Sequence, residues 1–215
     1  MTDGPVTPPP APPLPPASSS NLITRAINIL TKPTAEWRVA DAEATSVGRL
    51  IGGYAVILAL IAPIAMLIGA FIGGVFAYRV DVGMLIKLLL VVYVISLATP
   101  VLLGFIIDAL TTNLGGTKNS VQAMKLAVYS GTAFWVAAII LILPDLWWLW
   151  LVLGVGYGGY LLWVGLPILL RVPADKAPIF AGAAVGIWAV LFIILQQIGW
   201  RIIFAVPSVP AAVYM

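Results

Sequence analysis

LIGGYAVILALIAPIAMLIGAFIGGVFAY, residues 50–78, contains no charged side chain. A helix crossing the hydrocarbon core of a bilayer needs about 20 mostly apolar residues. This stretch therefore reads as a membrane span, long enough to tilt or to extend into the interface. Four similar runs follow at 88–107, 126–144, 146–170 and 177–200. Lys87 and Asp108 edge the second, and only Gln196 and Gln197 interrupt the fifth. The third and fourth meet at Pro144 and Asp145, a link that allows only a tight antiparallel helical hairpin. The pattern predicts an all-α, polytopic membrane helix bundle with five transmembrane helices over residues 48–206.

Composition agrees with that reading. The chain is 62% hydrophobic and 9% charged, whereas soluble domains run about 45–50% apolar and about 25% charged. A net charge of +3 is too small to point to nucleic acid. Cysteine and histidine are absent. Disulfides, thiol nucleophiles, histidine bases and thiolate or imidazole metal sites are thereby excluded. No metal or other cofactor is expected, and the expected surroundings are the lipid bilayer.

Upstream of the spans, residues 1–20 are rich in proline and serine. They read as a disordered tail with polyproline II character, a spacer or a ligand for a proline-binding domain. The tail lacks the basic and apolar regions of a secretory signal, so the first span reads as retained. Residues 21–47 read as amphipathic pre-membrane helices. Leu22, Ile23, Ala26, Ile27 and Leu30 share one face at helical spacing, with Asn21, Thr24, Arg25, Asn28 and Lys32 opposite. A second, weaker stripe joins Trp37, Ala40, Ala44 and Val47. Two placements are open: flat in the headgroup layer, or against the end of the bundle. Residues 207–215 form a short tail.

Basic residues set the expected orientation. Arg25, Lys32, Arg38, Arg49, Lys118, Lys125, Arg171 and Lys176 fall on one side of the five crossings. Arg79, Lys87 and Arg201 fall on the other. The richer side is expected to be cytoplasmic and to hold the N-terminus, with Met215 outside, in the periplasm of an inner-membrane protein. Trp147, Trp148, Trp150 and Trp200 then fit an outer aromatic belt.

Few residues could carry chemistry. Asp108 lies about one turn inside the second span, and carboxylates within spans are functional candidates. Pairing with Lys118, Lys125 or Arg171 would make it structural. Asn113, Lys118, Lys125, Arg171 and Lys176 complete a polar set on the expected cytoplasmic side. Gly69 and Gly73, Gly154 and Gly158, and Gly182 and Gly186 form small-xxx-small pairs. These allow close helix approach, either within one bundle or in a homo-oligomer. Gln196 and Gln197 read as hydrogen-bonding links between helices. Pro63, Pro100 and Pro167 can kink their spans. Neither a paired intramembrane carboxylate nor a serine with a nearby base is evident.

Several segments resemble one family. They are RAINILTKPTAEW at 25–37, NLGGTKNS at 113–120, AVYSGT at 127–132 and YLLWVGLPILLRVPADKA at 160–177. Together they resemble the bacterial branch of the Yip domain family, whose eukaryotic members are named for interacting with Ypt/Rab GTPases. The similarity covers about residues 21–205, and the last segment is its most specific part. Ala133 stands where the family usually has proline. The resemblance implies five spans, a cytoplasmic N-terminus and no known enzymatic activity.

The first functional expectation is a non-enzymatic membrane scaffold that recruits a membrane-protein partner or organises lipid. The alternative is a small transporter or channel with a hydrated path through Asp108 and the glycine-rich fourth span. An intramembrane enzyme ranks last.

Overall fold

The computed structural model describes residues 21–73 and 81–204. The proline-rich tail expected at 1–20, Arg79 and the tail expected at 207–215 lie outside the described residues. Among the described residues, five helical segments are long and apolar enough to cross a membrane: Val47–Ile72, Val82–Leu114, Ser120–Ile142, Pro144–Leu169 and Ala177–Ile203. The chain is thus a polytopic bundle of helices, as its apolar runs predict.

Two helices precede the spans, α1 (Leu22–Thr31) and α2 (Pro33–Ala42). The Asn21 side chain accepts the Ile23 amide and caps α1, and Pro33 opens α2. Proline suits that position, because a first-turn amide has no helical partner. The first span is broken. It comprises α3 (Val47–Leu50), a π-helical turn (Ile51–Ala55), α4 (Val56–Leu58) and α5 (Ile61–Ile72). The break at Ala59 lies four residues before Pro63, the carbonyl that proline leaves without its helical donor.

The remaining spans are centred on α6 (Val82–Thr111), α7 (Ser120–Ala137), α8 (Trp147–Leu169) and α9 (Ala177–Ile203). Asp81 caps α6 and Asn119 caps α7 through their side-chain oxygens. Short 3-10 turns, Ala138–Ile142 and Pro144–Leu146, build the tight link between α7 and α8.

Helix α7 is the axis of the bundle. Its span is 67% buried within the protein, against 17% for α9. Glycines let its neighbours approach. A Cβ added at Gly154 would lie 3.0 Å from Phe134 Cα, and one at Gly104 2.8 Å from Met124 Sδ. Phe134 also packs against Trp150, Trp188 and Phe192.

Pro100 sits inside α6 and deprives the Ser96 carbonyl of its usual donor. Trp135 on α7 replaces it, donating Nε1–H to Ser96 O at 3.2 Å and Ser96 Oγ at 2.9 Å. Trp135→Phe should therefore cost about 1–3 kcal/mol, the range for leaving a buried acceptor unpaired. Thermal unfolding in detergent checks this. The loss should shrink in a Pro100→Ala background, where the backbone supplies its own donor. An equal loss in both backgrounds would show that Trp135 acts through packing alone.

Candidate functional site

The bonded polar side chains of α1, α2 and the two loops gather at one end of the bundle. Asp41, near the end of α2, receives a hydrogen bond from Gln122 Nε2 on α7 at 3.0 Å. It also pairs with Arg171 Nη2, just past α8, at 2.7 Å. Deeper along the bundle, Trp37 lies against Gly165, where an added Cβ would come within 2.8 Å of the indole and 2.5 Å of Leu126 Cδ1. Deeper still, Tyr157 donates its hydroxyl to Leu30 O at 2.6 Å. Tyr157 stands near the midpoint of α8. The α1–α2 hairpin therefore stands lengthwise along α7 and α8, with its turn at Lys32 level with the bundle's middle.

A buried charge cluster holds the hairpin upright. Arg25 is 3% exposed. Its Nη1 lies 3.0 Å from Glu36 Oε1 and its Nη2 2.5 Å from Glu43 Oε2. Its guanidinium also lies 5.4 Å from the centre of the Tyr129 ring on α7, within cation–π range. Lys125, 2% exposed, donates to Ala40 O at 2.6 Å and Glu43 O at 2.7 Å. A cation on the last carbonyls of a helix complements the negative end of its dipole, so Lys125 is the C-terminal cap of α2. Two cations and two carboxylates balance across the cluster.

This corrects two sequence expectations. Arg25 belongs to the polar face of α1, opposite the apolar one, yet at this position that polar face is the one turned to the bundle, while Ile23 and Ile27 are 62% and 54% exposed. Among lipids, an apolar ridge can face outward and polar groups can meet inside the protein. Lys125 belongs to the polar set expected on the cytoplasmic side, yet it is buried and bonded to the end of α2.

The two loops meet at the same end. Thr117 N donates to Leu170 O at 2.7 Å. Gly116 packs so tightly that an added Cβ would lie 2.8 Å from that carbonyl. Gly115 turns the chain in the left-handed region, at φ 81°. Arg171 adopts φ 56°, the position after a helix that usually carries glycine. Its guanidinium bonds to Ile168 O and Asp41, which offsets the cost of that conformation.

The other candidates fall as follows. Asp108 accepts from Ser120 Oγ at 2.7 Å and pairs with none of Lys118, Lys125 or Arg171. Lys118 and Lys176 are exposed, with no polar partner among the described residues. Asn113 is exposed in the 3-10 turn Thr112–Leu114 that follows α6. Gly69 packs on the Leu141 and Ile142 carbonyls, whereas Gly73 caps α5. Gly154 and Gly158 face Phe134 and Ser130 inside the bundle, while a Cβ added at Gly182 or Gly186 would meet nothing within 4 Å among the described residues. Asp108 does not meet the glycine-rich face of α8. Its carboxylate, near the end of α6, lies beside the start of α7, and that face meets α7 at Ser130 and Phe134, about 15 Å along at 1.5 Å per residue. The cavity beside Ser130, Gly154 and Gly158 is about 30 Å³, enough for a water and too small for a solute path.

Sequence reasoning missed Glu36, Glu43, Tyr129 and Trp37 as one unit. The spacing of Glu36 and Glu43, seven residues apart and opposite in sign to Arg25, was the available signal.

A five-span bundle with a docked helical hairpin at one end defines a class: a multi-pass helical membrane protein with a polar layer built from its pre-membrane segment and two loops. A family model for the Yip1 domain matches residues 27–196, a stretch that runs from the hairpin into the last span. The chain therefore belongs to the Yip1 domain family. No curated protein and no solved structure matches it.

Proposed function

We propose that this protein is a non-enzymatic membrane scaffold that recruits an acidic protein partner on its hairpin end. That end faces the cytoplasm, and the C-terminus lies on the opposite side of a cell membrane. One observation carries the reading. Three segments remote in sequence, the hairpin, the 113–120 loop and the 171–176 loop, are bonded into one surface. Lys118 and Lys176 stand on it as exposed cations without partners. A Cβ added at Gly115 would lie 3.6 Å from Lys176 Nζ, so the two lysine-bearing loops run side by side. The eight-to-three distribution of basic residues supports the orientation. Such a charge patch steers association and sets specificity more than raw affinity.

Zero-length coupling of lysines to carboxylates in native membranes, read by mass spectrometry, tests the reading. Lys118 and Lys176 should couple to acidic residues of another protein, and the yield should fall several-fold at high salt. Lys118→Glu with Lys176→Glu should abolish it while leaving thermal stability unchanged. Links confined to this chain's own carboxylates would sink the proposal. A reporter after Met215 found in the cytosol would overturn the orientation.

A further inference from the structure

A second polar feature lies on another side of the hairpin and makes no use of Lys118 or Lys176. Between the start of α1, the α2–α3 link and the π-helical turn is a cavity of about 170 Å³. A water needs only about 10–15 Å³ measured this way, so the cavity admits a group of several heavy atoms. Its rim carries Arg49, Glu43 and Thr45, and Tyr54 and Tyr129 line it further along their spans.

The polar atoms there are not used up by the fold. Arg49 is exposed, and its side chain has no partner among the described residues. Glu43 gives Oε2 to Arg25, while its second oxygen accepts nothing. Among the described residues neither the Tyr129 hydroxyl nor the Thr45 side chain has a hydrogen-bond partner. Tyr54, by contrast, is already bonded to Thr132 at 2.7 Å. The free set is a guanidinium, two hydroxyls and one carboxylate oxygen. Arg25 also lines the cavity but is matched by Glu36 and Glu43, so Arg49 supplies the uncompensated charge.

That set has two poles. A guanidinium with hydroxyl donors beside it suits a phosphodiester. A carboxylate oxygen beyond it suits a primary ammonium, which donates charge-assisted hydrogen bonds. We propose that the cavity binds the headgroup of an ethanolamine phospholipid, with phosphate on Arg49 and Tyr129 and ammonium on Glu43. A choline headgroup has no N–H to offer Glu43, and a glycerol headgroup lacks the positive charge. Leu22 and Leu50 also line the cavity and supply apolar contact for the glycerol end.

The experiment uses the full-length chain, delipidated in detergent and titrated with dioleoyl lipids of ethanolamine, choline or glycerol headgroup, with bound lipid read by native mass spectrometry. One ethanolamine lipid should bind at least tenfold more tightly than either of the others. Arg49→Gln should weaken it tenfold or more, and Tyr129→Phe a few-fold. The Arg49 side chain is exposed and has no polar partner among the described residues, so Arg49→Gln should leave thermal stability unchanged. Glu43→Gln should narrow the gap between ethanolamine and choline. Free phosphoethanolamine should compete only weakly, because it lacks the glycerol end. Equal binding of the three lipids, or an Arg49→Gln variant that binds as the parent does, would overturn the proposal. Either result leaves the partner-docking reading untouched, since that reading rests on lysines outside the cavity.

Discussion

Arg25→Ala is expected to release the α1–α2 hairpin from the bundle. The guanidinium is the shared partner of Glu36 and Glu43 and sits over Tyr129. Removing it strands Glu36, whose side chain is 7% exposed. Breaking a buried pair from one side costs about 3–5 kcal/mol, because the remaining charge has lost its compensation. Glu43, at 27% side-chain exposure, can recover water and contributes less to the loss. The absence of cysteine makes the measurement clean. A single Ala40→Cys reporter, fully buried in the native protein, should be modified by a maleimide at least tenfold faster when Arg25 is alanine. Arg25→Met combined with Glu36→Leu should restore most of the protection, since replacing both members of a buried pair by apolar groups is often neutral. Unchanged labelling in Arg25→Ala would mean that packing alone holds the hairpin.

Trp37→Ala should loosen the same hairpin by a different route. Trp37 is fully buried, and it contacts Tyr129 with ring centres 6.2 Å apart. Truncating a buried tryptophan costs about 3–5 kcal/mol. The lower end applies here, because lipid tails reduce the transfer contribution and leave mainly lost contacts. Gly165→Leu should act in the same direction by filling the space the indole occupies. Labelling of the Ala40→Cys reporter should rise in both variants. Trp37→Phe should recover part of the protection, whereas an ionic latch alone would predict no difference between Phe and Ala. Trp37 Nε1 has no hydrogen-bond partner, so phenylalanine forfeits volume and little else.

Spans were the most legible part of the chain. Their signal is local: an uninterrupted apolar run about as long as the hydrocarbon core, bounded by polar loops. Hairpin placement was not legible, for a physical reason. Amphipathic periodicity reports which residues share a face, not which medium the face meets. In water, Ile23 and Ile27 would mark the buried side of α1. Beside lipid they mark the outside, and Arg25 marks the inside. Lys125 was misread for a related reason. It lies one turn inside α7, where a lysine ordinarily snorkels to water, and only the arrival of α2 gives it two carbonyls to bond. Gly165, Gly104 and Gly199 escaped notice because each is required by a side chain from another helix: Trp37 and Leu126, Met124, and Val91 respectively. Gly154 and Gly158 were visible as a pair, but their spacing did not say whether the facing helix belonged to this copy or another.

The π-helical turn at Ile51–Ala55 closes with Val56 N donating to Ile51 O. That bond spans one residue more than an α-helical one. Each residue advances an α-helix by about 100° around its axis. The extra residue thus fixes the angular phase between everything ahead of the turn and α5 behind it. Losing a single residue there would swing Arg49 and the incoming hairpin by roughly a quarter of a revolution. They would then point away from α7 while the span kept its apolar length. Length alone would still satisfy the bilayer, so the segment tolerates changes of side chain far better than changes of register.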